Sequence, residues 1–217
     1  MTLGDDLDLL LDTDFRLRMG SPELVPTERE LATVSAELVD AYTDYVQTVS
    51  EAEHAVSLQT AAYLLFLCRT QEAERVLDLG SGFSSYVLQH YADTAPYPVT
   101  AYHVDTDPVW GERTTAFAER YGVAVRVESW SDFIGIVHGP FDIVFHDLAG
   151  GDTRNETMPY ASSLVMWGGL IVFDDCHHDG HRDNARAVCA RDGLQWFSLH
   201  RQTSDTFSRF AAIGVKA

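Results

Sequence analysis

The sequence predicts an α/β fold: a doubly wound, mostly parallel sheet, preceded by helices and closed by an antiparallel hairpin. Three observations predict it. From residue 75 onward, short apolar runs of buried-strand type alternate with helix-type segments, the pattern of a parallel sheet covered on both faces. Within residues 75–85, R-V-L-D-L-G-S-G-F-S-S, the apolar Val76, Leu77 and Leu79 break at Gly80-Ser81-Gly82 and give way to the helix-like Tyr86-Val87-Leu88. The last two strand-like runs, 194–199 and 207–215, are joined by a polar turn around residues 202–205 that is too short for a crossover helix, so they should pair antiparallel.

Each element has its own local reason. Residues 1–26 carry Asp5, Asp6, Asp8, Asp12 and Asp14 among leucines, a pattern open between a short amphipathic helix and a frayed arm. Thr27 and Glu30 have capping-box spacing, and Leu31, Val34, Leu38, Ala41, Tyr45 and Val49 recur at helical steps, which gives a helix with one apolar face. A second helix is expected over 55–69, where Ala61, Ala62, Leu64, Leu65 and Leu67 make an apolar surface broad enough to pack on the sheet. Beyond the glycine turn, strands are expected at 99–104, 124–128, 141–146 and 170–173. A helix should start at the Asp107-Pro108 cap and stop before Gly122.

Bulk properties narrow the function. A chain of 217 residues suits one domain with a substantial core. The formal charge of -18, from 33 acidic against 15 basic residues, would repel a phosphate backbone, so nucleic acid is disfavoured as a substrate; Lys216 is the only lysine and no basic run exists. Three scattered cysteines, Cys68, Cys176 and Cys189, do not make a disulfide framework or a Cys-rich zinc site and suit a reducing compartment. No stretch reaches membrane-spanning length and no leader pattern is visible, so the expectation is a cytoplasmic protein with no membrane partner.

Glycines at a strand-to-helix turn let the main chain take positive φ and approach a ligand closely, and the helix N-terminus behind them offers unpaired N–H groups. A nucleotide-like cofactor is the natural occupant. The dinucleotide fingerprint G-x-G-x-x-G has Ser85 at its third glycine, which argues against NAD. With Asp78 two positions before the first glycine, D-L-G-S-G resembles the first motif of class I S-adenosylmethionine (SAM) dependent methyltransferases, although Ser84 stands where that pattern has a further glycine. The resemblance implies a Rossmann-like sheet with a terminal antiparallel hairpin, and a loop of Asp78, Gly80, Gly82 and Ser85 against the methionine end of SAM. Residues 71–217 would be the SAM-binding core. Residues 1–70, part of the same domain, would supply an arm and helices for the lid and for homodimer contacts.

Ligands of such sheets bind outside the carboxyl ends of the strands. Asp105, which ends the second strand in H-V-D-T-D-P, is positioned to accept the ribose hydroxyls, while Asp107 beside Pro108 is the better helix cap. The third strand ends in Glu128-Ser129-Trp130, where the resemblance implies adenine contacts from Ser129 or Trp130; Trp130 is equally placed to be core. F-D-I-V-F-H-D-L and G-G-L-I-V-F-D-D-C-H-H end the next two strands, so Asp147, Asp174 and Asp175 converge on one pocket edge. Three carboxylates there require a counter-charge, for which a hard divalent cation is the common answer.

These acids narrow the resemblance to the catechol and caffeoyl-CoA type O-methyltransferases and the related antibiotic and sugar O-methyltransferases. That implies Mg²⁺ on Asp147, Asp174 and Asp175, gripping the hydroxyls of the acceptor. The alternative leaves Asp147 to orient the acceptor and Asp174-Asp175 to cap the next segment. Gly150 stands where catechol-type enzymes carry a catalytic lysine, so the base is sought in His177, His178 or His146, the last equally able to be a buried, satisfied histidine. The leading expectation is methyl transfer to a hydroxyl of a small molecule, with Asp147 and His177 or His178 catalytic. The alternatives are aminopropyl transfer on the same fold, an NAD-linked dehydrogenase, and a SAM-binding protein without catalysis.

Overall fold

Alternation along the central strands sets the two layers of the protein. A computed structural model describes residues 20–136 and 138–217; the leading acidic stretch up to residue 19 lies outside them. Seven strands, β1 Arg75–Leu79, β2 Thr100–Asp105, β3 Val127–Ser129, β4 Phe141–His146, β5 Val165–Phe173, β6 Leu194–Ser198 and β7 Ala212–Lys216, form one sheet in the order β3-β2-β1-β4-β5-β7-β6. The first five run parallel, and β7 lies antiparallel between β5 and β6. Val76, Ile143, Phe145, Leu170 and Val172 point to one face, and Leu77, Leu79, Val144, Ile171 and Phe173 to the other. Each face buries its own apolar cluster, as a doubly wound sheet requires.

On the first face lie α1 (Glu28–Thr48), α2 (Leu58–Thr70), α3 (Phe83–Thr94) and α4 (Pro108–Arg120). The Thr27–Glu30 capping box opens α1, and Val34, Leu38, Ala41 and Tyr45 form its buried stripe. The apolar α2 is buried nearly all round, pinned between α1 and α3, where Glu37 accepts from Arg69 at 2.8 and 2.7 Å and sits 2.7 Å from His90 Nε2. The other face carries α5 (Trp130–Ile134), α6 (Gly151–Ser163) and α7 (Asp179–Asp192). A short α8 (His200–Thr203) follows β6.

Four boundaries differ from the sequence expectation by more than one residue, each for a local reason. α2 begins at Leu58 because the Ser57 hydroxyl caps the Thr60 N–H at 3.0 Å. β3 is only three residues long, since the Val125 N–H turns back to the Val123 carbonyl and residues 124–126 leave the ladder. β5 starts five residues early and passes through Gly168-Gly169 on an irregularity in its pairing with β4; a Cβ on Gly169 would lie 2.8 Å from the Asp142 carbonyl oxygen. Residues 207–211 are not strand. Asp205 Oδ1 accepts from the N–H groups of Phe207 and Arg209, each at 2.9 Å, and Thr203 Oγ1 accepts from Ala211 N–H at 2.9 Å, so side chains satisfy a backbone that would otherwise pair in the sheet. No helix among the described residues is long and apolar enough to cross a membrane. All three cysteines are buried and free.

Candidate active site

The strand order reverses between β1 and β4, and a crevice opens there at the carboxyl ends of the strands. It holds a cavity of about 350 Å³, lined by the glycine turn, Asp105, Asp107, Trp110, Asp147 and Arg154, and on the side of the leading helices by Tyr45, His54, Ala55 and Val56. The loop carrying His54 is held in place by Arg209, which donates to the carbonyls of Ala52, Glu53 and Ala55 at 2.6 to 2.9 Å.

The glycine turn owes its shape to neighbours on three sides. Gly80 has φ +106°, and a Cβ there would lie 2.3 Å from the Asp147 carbonyl oxygen, so glycine is required by the approach of the end of β4. A Cβ on Gly82 would meet the Tyr45 hydroxyl at 3.2 Å. From the third side the Trp110 indole N–H donates to the Ser81 carbonyl at 2.6 Å.

Asp78 and Ser85, expected to touch the cofactor, are fully buried behind the turn and line no part of the cavity. Ser85 Oγ donates to the Asp78 carboxylate and accepts from Gly82 N–H at 3.2 Å; His103 Nδ1 sits 3.4 Å from Asp78. The serine that spoils the dinucleotide fingerprint therefore braces the turn from within.

Asp105 reaches the cavity. Its Oδ2 accepts from Ser81 N–H at 2.7 Å and from Ser81 Oγ at 2.6 Å, and its Oδ1 from Asp107 N–H at 2.8 Å. Asp107, accepting from Val109 N–H at 2.9 Å, is the cap of α4, so Asp105 is not spent on capping. Ser129 is spent that way: it caps α5, accepting from Asp132 N–H at 3.1 Å and donating to Asp132 Oδ2 at 2.7 Å. It also lines an adjoining cavity of about 520 Å³, together with Asp105, Asp107 and Glu128. Trp130 lines neither cavity; its ring packs edge-on to Tyr160 at 5.6 Å and beside Phe133 at 6.2 Å. The core alternative describes its position better than the adenine one.

Of the three acids expected to converge at the ends of β4 and β5, only Asp147 lines the cavity; Asp147 and Asp175 pair with a side chain the sequence reading passed over, and Asp174 does not. Arg154, in the first turn of α6, places Nη2 2.5 Å from Asp147 Oδ1 and Nη1 2.5 Å from Asp175 Oδ2. Nε and Nη2 also donate to the Ala149 carbonyl at 2.9 and 2.6 Å. Burial pushes the Asp147 carboxyl up, against the opposing charge of Arg154. Burial and the neighbouring Asp175 raise Asp174 to about 7. Burial would raise Asp175 too, but Arg154 outweighs it and holds that carboxyl below the usual range.

A divalent cation does not fit this donor set. It needs carboxylate oxygens at about 2.0–2.6 Å, in the space that the guanidinium nitrogens already occupy. Among the described residues, the group of three metal-ligating side chains whose ligand atoms lie within 4.8 Å of one another is Glu51, Glu53 and His54, on the surface.

The histidines divide by position. His177 Nδ1 lies 3.6 Å from Asp175 Oδ1, and its ring stands 3.9 Å from that of His178; neither residue lines the cavity with the glycine turn. Burial lowers the pKa of His177, keeping the imidazole neutral near pH 7. His146 is fully buried, its Nε2 2.9 Å from Thr157 Oγ1 and its Nδ1 without a partner, and burial pushes it down to about 3, so it is a core histidine, though only half satisfied. His54, not singled out from the sequence, does line the cavity. Tyr45, Trp110 and Arg154 were missed as well. Tyr45 reads as one more residue of an apolar stripe, and Trp110 and Arg154 lie in the first turns of helices just after the quoted motifs, outside the residues those motifs single out.

No protein-family model and no curated protein matches the chain. Solved structures do. Cofactor-bound Rv0187 from MTB is 24% identical at a TM-score of 0.60, with 94% of this chain and 96% of that one covered. An O-methyltransferase from Bacillus cereus in complex with SAH is 17% identical at a TM-score of 0.59, with 96% and 99% covered. The O-methyltransferase TomG from Streptomyces achromogenes, involved in tomaymycin synthesis and in complex with SAM, is 19% identical at a TM-score of 0.59 over the whole of both chains. At such identities the likeness shows the fold, and that fold is the one used by SAM-dependent O-methyltransferases.

Proposed function

We propose that this protein transfers a methyl group from SAM to a hydroxyl of a small molecule. One observation carries the reading: the glycine turn, Asp105 and Asp147 line a single cavity at the switch point of a methyltransferase-type sheet. That two similar structures hold SAH and SAM supports it.

The groups present fit the cofactor. The main chain of Gly80, Ser81 and Gly82 is open to the methionine end, and Asp105 offers the ribose an acceptor at the price of its bond from Ser81 Oγ. Asp107 and Ser129 border the adjoining cavity, on the adenine side. Bound there, SAM would supply an electrophilic methyl to an acceptor oxygen, the C–O bond forming as the C–S bond breaks and S-adenosylhomocysteine departing with the electron pair. The protein would align the oxygen in line with the methyl, with Asp147 beside it and the buried Tyr45 on the far wall. An imidazole takes the hydroxyl proton. His54 stands in the cavity wall, while His177 and His178 stand beyond Arg154. The acidic surface and the small cavity support a small-molecule acceptor over nucleic acid.

Calorimetric titration with SAM, S-adenosylhomocysteine and NAD tests the reading. Binding of the first two and not the third is expected; binding of NAD alone would replace it with a dehydrogenase. Binding of SAM without turnover on any of a panel of hydroxylated acceptors would leave a SAM-binding protein.

A further inference from the structure

We infer that Arg154 stands permanently where a divalent cation would be held, so that this protein keeps its acid cluster assembled, and works, without a metal ion. The inference rests on the proposed methyl transfer only for its last clause. Its ground is the guanidinium geometry. Arg154 carries five N–H groups in a fixed plane. Nε–H and one Nη2–H go to the Ala149 carbonyl, the other Nη2–H to the Asp147 carbonyl at 3.3 Å with Nη2 also 2.5 Å from Asp147 Oδ1, and one Nη1–H to the Asp175 carboxylate. The head group thus bridges the loop after β4 to the loop after β5, the two places that carry the acids.

The backbone is bent to receive it. Ala149 and Asp175 both lie in the left-handed region, at φ +52° and +54°, a conformation that a side chain normally avoids and that persists only where surrounding contacts impose it. The Arg154 side chain is 13% exposed, which fits a fixed counter-ion and not a solvated surface arginine. Its one N–H without a protein partner is on Nη1, and Arg154 lines the cavity beside Asp147 and Ala149. It can hold an acceptor oxygen there and draw its charge, a service that otherwise needs the ion.

The guanidinium lies within ion-pair distance of two carboxylates and donates to main-chain carbonyls at once, whereas a bound cation would have to expel it. Arg154 and the ion are therefore alternatives for one set of oxygens. Removing the guanidinium should uncover a cation site that the native chain does not have.

Thermal unfolding of the native protein and of Arg154→Met, each with millimolar MnCl2 or MgCl2 and with NaCl of equal ionic strength, tests this in the absence of cofactor or acceptor. The native melting temperature should be the same in all three salts. The variant should melt lower and regain about 3 °C or more in MnCl2, a gain abolished by adding Asp147→Asn. If the variant does not fold alone, refolding from denaturant with and without MnCl2 gives the same readout.

A native protein stabilised by Mn²⁺ and losing that response on Asp147→Asn would overturn the inference, as would an Arg154→Met protein indifferent to the ion. Native turnover should persist in EDTA. SAM titration of the same preparation keeps the two proposals apart, since failure to bind SAM would remove the methyl-transfer reading and leave the ion measurement standing.

Discussion

The indole N–H of Trp110 donates to the carbonyl oxygen of Ser81 at 2.6 Å, tying α4 to the middle of the glycine turn. The bond lies on the glycine-turn wall of the cavity, where a loop with two glycines would otherwise have many conformations to lose on binding a ligand. Trp110→Phe keeps most of the packing and removes the donor. SAM affinity is expected to fall about fivefold, the value of one net hydrogen bond of about 1 kcal/mol. Calorimetry on the variant checks this, and an unchanged affinity would mean that the turn is held by Asp105 and Asp78 alone.

Asp105→Ala should weaken SAM about 10- to 100-fold, through loss of charge-assisted hydrogen bonds. Because Asp105 also accepts from Ser81 and Asp107, the melting temperature should fall too. Thr27→Ala, which loses the α1 cap away from the cavity, is the control: it should cost stability of about 1 kcal/mol and leave affinity unchanged.

The two glycines of the turn should respond differently. Gly80→Ala drives a Cβ into the Asp147 carbonyl at a backbone angle that side chains avoid, and should cost about 3 kcal/mol or more of stability. Gly82→Ala meets the Tyr45 hydroxyl at 3.2 Å and, at ordinary contact distance, Trp110 Nε1 at 3.9 Å. That variant should fold, and Tyr45→Phe should recover about 0.5–1 kcal/mol of whatever it loses, measured as a double-mutant cycle in denaturant.

His54→Ala should lower turnover about 10²- to 10⁴-fold, if the imidazole in the cavity wall takes the hydroxyl proton. SAM affinity should be unchanged. His177→Ala measured in parallel decides between the two positions, and a larger loss there would return the role to the histidine beside Asp175.

Acid should destabilise the fold through its buried histidines. Burial depresses His146 to about 3 and His181 to about 4, against about 6.5 in an unfolded chain. Between those values the unfolded chain binds protons that the fold refuses, so this stability is complete above pH 6.5 and is lost as pH falls, by about 2 kcal/mol per histidine at pH 5 as an upper bound. Asp174 runs the other way. Raised by burial to about 7, it favours the fold most below its unfolded value and loses that contribution as pH rises towards 7. His146→Gln can still bond Thr157, and should reduce the acid-induced drop in melting temperature by about 4–8 °C between neutral pH and pH 5. An unaltered drop would place the acid sensitivity elsewhere.

The class of fold was legible in the sequence because it is written in short-range patterns. The limits of β4, the Thr27–Glu30 capping box, the Asp107-Pro108 start of α4 and the antiparallel terminal strands all follow from period, cap and turn chemistry, which act within a few residues. The placement of Asp105 and Asp147 at strand ends follows from the same patterns, since a parallel sheet presents its carboxyl ends on one side. What fills the space between those residues was decided by tertiary structure. Arg154 is the only arginine or lysine between Arg126 and Arg182, a lone positive charge beside a run of strand-end acids, and that was the signal available for it. Its reach into the acid cluster depends on the angle of α6 against β4 and on two left-handed residues, Ala149 and Asp175, neither of them glycine. Asp78 and Ser85 make the converse case. Both sit in the motif, yet the three-dimensional turn faces them inward to His103, because a buried carboxylate must be hydrogen-bonded before a loop above it can hold one shape.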